Sequence, residues 1–434
     1  MTIRKPPTAG GPPRNPGGLL PYDEALARVL GGLPRPRREE VPLGRAVGRV
    51  LARDARADRD IPPFDRATLD GYAVRVRGSF GDHHILPIVG EVAAGERPPR
   101  SLPPDACVRI ATGAPVPAGA QGIIPVERAH EVEGQAFLQG PLEIRGTRRP
   151  AIADRGGDAR RGDRLIERGG VVTLAEVAVL ASIGLARVPV FTEPEVALIV
   201  TGQELVPPHE RPGPVQVRSA NGDIVCGLIG ELGMHAPHEI GIVKDEREPL
   251  RRAIRRGLGH DVLVITGGIS AGRFDLVPDL LRELGVRIRV HRVAIRPGKP
   301  FLFGLDTRQG RRTAVFGLPG NPVSVLVTAI EFLVPFLRAW RGDKGSGGGS
   351  LMVRIDDEIS RGGSFLHFVP CTVRADREGI LRAREVPFRG SGDFVSIARA
   401  RAFLRVPGDG KARPAGSLLA ADLLPGFVPG VEGA

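Results

Sequence analysis

A chain of 434 residues and 46.2 kDa suggests two to four domains, and a hydrophobic share of 41% excludes wholesale disorder. The net charge of +12 favours anionic partners. Aromatics are only 4%, too few to supply stacking platforms for bases, so nucleic acid is disfavoured and a small anionic ligand fits the charge equally well.

Residues 1–18 are rich in Pro and Gly and lack the apolar core of a secretion signal; a disordered tail is expected. Ala25, Leu26, Val29, Leu30 and Leu33 then recur on one helical face, and Leu43, Ala46, Val47, Val50 and Leu51 repeat that signature. Between Ile61 and Pro150, short apolar runs alternate with Gly and Pro and read as strands joined by turns. A helix returns at Thr173, where Thr173 and Glu176 have capping-box spacing and Gly184 is a natural stop. These segments predict a split helical domain (19–60 and 150–191) interrupted by a β-rich insert over 61–149.

Residues 192–341 alternate strand and helix. Strand candidates are Glu195–Val200, Asp261–Ile265, Val286–Val290 and Thr313–Phe316; helix candidates are Asp223–Leu232, Glu248–Arg256, Leu276–Leu284 and Pro322–Leu337. The expectation is a doubly wound α/β domain with a mostly parallel sheet. A Gly/Ser linker over 342–350 follows, and residues 350–430 read as a small β-barrel or sandwich. Cys107, Cys226 and Cys371 form neither a zinc pattern nor a disulfide framework, which points to a reducing cytoplasm. The most apolar stretch is interrupted by Glu331 and Pro335, so no membrane span is expected.

Open parallel sheets bind ligands beyond the carboxyl ends of their strands. Here Val200 leads into Thr201-Gly202-Gln203-Glu204, Ile265 into Thr266-Gly267-Gly268-Ile269-Ser270, and Phe316 into Gly317-Leu318-Pro319-Gly320-Asn321-Pro322. Glycine permits positive φ and close backbone approach to a ligand, and Asn321-Pro322 suits a helix start that binds anions. Glu204, Asp245 and Asp275 converge on the same edge and offer the oxygen donors that Mg²⁺ requires. Arg296-Pro297-Gly298-Lys299-Pro300 places two cations on a rigid turn suited to an oxyanion. No GxGxxG, P-loop, GxSxG, HExxH or CxxC pattern competes with this reading.

Phe64-Asp65-Arg66-Ala67-Thr68-Leu69-Asp70-Gly71-Tyr72-Ala73-Val74-Arg75 resembles an FDxSxMDGYAxR signature, and Arg109–Pro117 resembles RIxTGAPVP. With TGGIS, RPGKPFLFG and GLPGNPVS in the same order, the chain resembles the molybdopterin molybdenumtransferases, the family of bacterial MoeA and the gephyrin E domain, over roughly residues 20–430. The resemblance implies a molybdopterin-binding fold for the α/β domain and an elongated homodimer. It implies Mg²⁺-dependent hydrolysis of adenylylated molybdopterin, with molybdate placed on the dithiolene and AMP released. The adenylylating enzyme of the same pathway is an expected partner.

Residue roles follow from the same resemblance. The TGGIS and GLPGNP backbones would bind pterin and phosphate, which engages Thr266, Gly267, Gly268, Ser270, Gly317, Pro319, Gly320, Asn321 and Pro322. Glu204, Asp245 and Asp275 would hold the metal and position the attacking oxygen. Arg296 and Lys299 would attract molybdate, with Ser391 and Arg361 completing the oxyanion pocket. Asp65, Asp70 and Thr112 would be supplied across the dimer. The chain departs from the family pattern at Arg66, Ala67, Gln203, Ser219, Arg273, Arg296 and Gly157, and His367 stands where EFxR closes on Arg. These departures leave open an alternative: a paralogue that binds molybdopterin or the finished cofactor as carrier or scaffold without turnover.

Overall fold

The computed structural model describes residues 18–77, 82–140, 149–269, 276–308, 312–343 and 350–427. At its centre is a six-stranded sheet in the order His238–Val243, Val196–Thr201, Val262–Thr266, Thr313–Leu318, Leu302–Asp306, Arg287–His291. The first four strands run parallel, and Leu302–Asp306 pairs antiparallel with both of its neighbours, so it alone runs against the rest. Val196–Thr201, Val262–Thr266 and Thr313–Leu318 are buried along their whole length, as parallel strands covered on both faces must be.

The two-residue alternation of a strand sorts their side chains into two cores. Leu198, Val264 and Phe316 join helices Asn221–Glu231 and Pro322–Thr328 on one face. Ile199, Leu263 and Val315 join helices Arg247–Gly257 and Val277–Glu283 on the other. Strands His238–Val243 and Leu302–Asp306 complete the sheet beyond the four expected ones. The first is a half-exposed edge strand interrupted by Gly241 at φ +115°.

The apolar run from Pro322 to Trp340 is long and apolar enough to cross a membrane, yet 72% of that window is buried in the fold. Its π-helical turn Ala329–Leu333 carries the acid Glu331 inward.

The predicted first helix forms as Tyr22–Leu30, but it packs on the α/β domain. Its Ala25 and Val29 meet the large apolar surface of Phe332 and Phe336 rather than a second N-terminal helix. That second helix is not formed: only a 3-10 turn, Leu43–Arg45, precedes extended chain in which Val50 bridges Val171 and Leu51 bridges Val190. Gly48 at φ +79° breaks the helical path, and extended pairing buries Ala46, Val50 and Leu51 equally well. The layer is therefore mostly strand, with Arg38–Pro42 paired to Arg187–Phe191 and Ala55–Arg56 to Arg164–Ile166. Its one α-helix is Leu174–Ser182, with the expected Thr173–Glu176 capping box.

The insert is a six-stranded sheet built on Gly71–Arg75, Ala106–Ile110 and His83–Val92. At the C-terminus, Leu366–Ala375, Leu381–Glu385, Ser350–Ile355, Leu418–Leu423 and Ala402–Val406 close into a five-stranded barrel. The short strand Ile295–Arg296 leaves the α/β domain and pairs in parallel with Leu366–His367 of the barrel. This pairing brings the basic turn against the barrel wall.

Candidate functional site

The carboxyl ends of the three central strands converge through glycine. Gly267 has φ +95°, and a Cβ there would stand 2.3 Å from the Thr201 carbonyl oxygen, so only glycine lets the second strand end beside the first. Gly267 also donates its N–H to the Leu318 carbonyl of the third strand at 3.0 Å. Gly317 is a strand residue rather than part of the turn; Ile269 and Leu302 crowd the place its side chain would occupy. Pro319 and Gly320 make the actual turn, and Pro322 opens the helix.

Asn321 occupies the N-cap position without capping. Its Nδ2 instead donates to Ser391 Oγ at 2.8 Å, joining the α/β domain to the barrel. Asn221, at the start of another helix, donates Nδ2 to the Gly320 carbonyl at 2.7 Å and so fixes the same turn from behind. Asn221 Oδ1 and Thr266 Oγ1 are buried with no hydrogen-bond partner among the described residues. Buried polar atoms in native proteins are normally satisfied, so two orphans, one at a strand end and one at a helix start, fit a polar ligand.

Between the α/β domain and the barrel lies a cavity of about 1250 Å³. Arg296, Lys299, Pro319, Gly320, Asn321, Arg361 and Ser391, all expected from the sequence, line it together. The turn closes tightly: Gly298 has φ +112°, with Thr328 and Ile295 where a Cβ would go. Arg361 is less free than expected, because its guanidinium pairs with Glu385 in the same cavity. His367 sits opposite Arg296 in the register and is buried. Burial, together with the nearby charges of Arg296 and Arg361, outweighs the Gly362 carbonyl and holds its pKa below 6.5. The wall therefore presents a neutral imidazole between cations.

Of the acids, Asp245 accepts a 2.5 Å hydrogen bond from Thr201 Oγ1 at the first strand's end. It also lies close to Gly268, where a Cβ would be 3.5 Å from its Oδ1. Glu204 is exposed past the same strand, its Oε2 against Gly202. Ser270, Arg273 and Asp275 lie outside the described residues. Among the described residues no three His, Cys, Asp or Glu side chains gather as a metal site. The donor chemistry of Asp245 and Glu204, oxygen only, suits Mg²⁺.

Asp65, Asp70 and Thr112 do not line the cavity of their own chain. Asp70 Oδ1 accepts from the Thr112 N–H at 2.6 Å and its hydroxyl at 2.8 Å, which hold the carboxyl below the usual range. Asp65 accepts from the Arg155 N–H at 2.9 Å and pairs with Arg149 at 2.7 Å.

Three family models match successive stretches of the chain: the MoeA N-terminal region (domains I and II) over residues 20–184, a probable molybdopterin-binding domain over 197–339, and the MoeA C-terminal region (domain IV) over 353–422. The molybdopterin molybdenumtransferase of Bacillus subtilis (strain 168) is 31% identical over 355 residues, covering 80% of this chain and 81% of its own. The chain belongs to the MoeA family. That of Synechocystis is 29% identical over 352 residues, 80% of this chain and 85% of that one. Among solved structures, a molybdopterin biosynthesis MoeA protein of Pyrococcus horikoshii superposes with a TM-score of 0.78 at 27% identity, over 94% of this chain and all of that one.

Within this MoeA-family chain the departures differ in exposure, and Arg273 lies outside the described residues. Arg66 and Gln203 are exposed, where a changed side chain meets solvent. Ala67, Ser219 and His367 are buried, and of these His367 lines the cavity. Asn221, Glu385 and the cavity aromatics Phe365 and Phe388 escaped the sequence reading. Asn221 carried the one usable signal, two residues past Ser219 at a helix start. The others are recognisable only once the barrel meets the α/β domain.

Proposed function

We propose that this chain is a molybdopterin molybdenumtransferase, taking adenylylated molybdopterin and molybdate to molybdenum cofactor and AMP. The observation that carries this reading is the single cavity holding Arg296, Lys299, Asn321 and Ser391 together with the Pro319-Gly320 turn, which Gly267 of the neighbouring strand end approaches closely. Lys299 and Arg296, with no ion-pair partner among the described residues, supply positive charge for molybdate. Asn321 and Ser391 orient it through neutral donors. The buried Thr266 hydroxyl and Asn221 side-chain carbonyl keep unused hydrogen-bonding capacity, and Asn221 holds the Gly320 turn that lines the cavity. Burial strengthens the interactions of Thr266 and Asn221 relative to water, whereas Arg296, Lys299 and Asn321 are exposed.

Asp245, with Glu204 and Asp275, would hold Mg²⁺, which supplies charge neutralisation on the pyrophosphate when bound. Thr201 fixes the Asp245 carboxylate for that task. Asp65, Asp70 and Thr112 are proposed to act on the cavity of a second copy in a homodimer, and Asp70 is already braced by Thr112. The substrate is the product of a pterin-adenylylating enzyme.

The deciding measurement is AMP release from adenylylated molybdopterin with molybdate and Mg²⁺ present or withheld. Release that depends on both is expected. Tight pterin binding without AMP would replace the transferase by a carrier.

A further inference from the structure

Behind the barrel wall of the cavity lies a buried polar cluster that the proposed chemistry does not use. Glu331 is only 2% exposed inside an otherwise apolar helical run. Its Oε2 accepts from the Tyr22 hydroxyl at 2.7 Å and from Arg405 Nη2 at 2.9 Å. Arg405 Nε donates to Asp422 Oδ2 at 2.6 Å, and Ser350 donates to Asp422 Oδ1 at 2.6 Å. The guanidinium also lies over the Tyr22 ring at 5.3 Å and the Phe368 ring at 6.0 Å. One side chain thus grips the N-terminal helix, the long helix of the α/β domain and two barrel strands.

Two of the gripped elements reach the cavity wall: the long helix at its start, through Asn321 and Ser324, and the strand Leu366–Ala375. Arg405 is the register partner of Phe368, and Phe368 and its neighbour His367 both line the cavity. Two residues before Tyr22, Leu20 accepts from Ala294 N at 2.8 Å, just ahead of the Ile295–Arg296 strand. Leu366 in turn donates to the Ala294 carbonyl at 2.9 Å. Segment 292–296 is therefore held by the N-terminal helix on one side and the barrel on the other, immediately before the basic turn. A buried ionic cluster is a weak source of net stability compared with apolar packing, but its directional bonds specify one arrangement of the parts that it joins.

We infer that Arg405, with Tyr22 and Glu331, is a positioning joint that sets the barrel wall of the oxyanion cavity against the basic turn of the α/β domain. Arg405 touches no reacting atom; it acts through Phe368 and His367 on one wall and through Tyr22 on the other. The ligand's identity rests on the function proposed above, whereas the joint itself does not.

The test uses the full chain with Arg405→Gln, Arg405→Lys and Tyr22→Phe. Two quantities are read: the molybdate half-saturation and kcat of AMP release, and amide hydrogen exchange of segments 295–299 and 366–369 against strand Val262–Thr266 as internal reference. Loss of a charge-assisted hydrogen bond corresponds to roughly tenfold in binding. Arg405→Gln should therefore raise half-saturation about tenfold, with kcat nearly unchanged and faster exchange confined to the two segments. Arg405→Lys should fall between, since an ammonium cannot span both acids as the planar fork does. Tyr22→Phe, which removes one hydroxyl, should move both readouts the same way by less and carries the test if Arg405→Gln does not fold. Unchanged half-saturation and exchange overturn the joint, and so does faster exchange that includes the reference strand. Absence of AMP release from the unaltered chain would remove the functional reading alone, with segment-confined exchange still deciding for or against the joint.

Discussion

A Cβ at Gly267 would stand 2.3 Å from the Thr201 carbonyl at a φ of +95°, so two independent constraints select glycine there. Gly267→Ala should cost about 1–3 kcal/mol from backbone strain alone, with further loss from displacing Thr201. Denaturant unfolding checks this, and an unchanged midpoint would mean that the turn relaxes freely. The sequence displayed this glycine in a pattern with Gly202 and Gly320, which is why the strand-end site was legible. It did not display Asn221. A lone Asn near a helix start reads as local structure until the fold brings Gly320 to its side chain. Arg361 was legible as a cation, but its partner Glu385 lies 24 positions away and is brought near only by barrel closure.

Elements were readable where their period matched their burial. The helix Leu174–Ser182 begins at Thr173 with the reciprocal Glu176 bond that the spacing implied. Thr173→Ala should therefore destabilise by about 1 kcal/mol, read as a lower Tm with faster amide exchange over the helix's first turn. No change in either would show that tertiary contacts alone hold the helix. The three central strands were readable because both of their faces are apolar. The segment after Leu43 misled because its apolar spacing suits a helical face, yet Gly48 and the extended partners Val171 and Val190 offer the same burial without a helix. Tertiary pairing overrides a local period of that length. Leu302–Asp306 escaped because it follows the basic turn so closely that its apolar residues read as part of that motif.

At the scale of the molecule, the joints between domains set its response to pH. Burial, then the charge of Asp422, pushes the Glu331 carboxyl from 4.5 up to about 8 against the pull of Arg405. Such a group is protonated in the fold where the unfolded chain has already released its proton. Its stabilising contribution is complete below pH 4.5 and is lost as pH rises through about 8. Glu331→Gln copies the protonated form, so its Tm should gain on that of the unaltered chain as pH rises from about 5 to about 9. A constant difference would sink the assignment. His367 acts at the other limit: held below 6.5, it refuses a proton that the unfolded chain accepts, so stability also falls as pH drops below 6.5.

By itself the sequence determined the α/β centre, the glycine turns at its strand ends, the basic turn and the family, because these depend on short-range spacing and on apolar runs long enough to bury. Only the tertiary structure decided that the N-terminal helix leaves its neighbours for the α/β core, that Asn321 turns from capping to Ser391, and that Tyr22, Glu331 and Arg405 meet. Those contacts join residues up to 309 positions apart. Their partners are selected by which surfaces the closed sheet and barrel leave to be covered, a property of the whole chain that no local pattern carries.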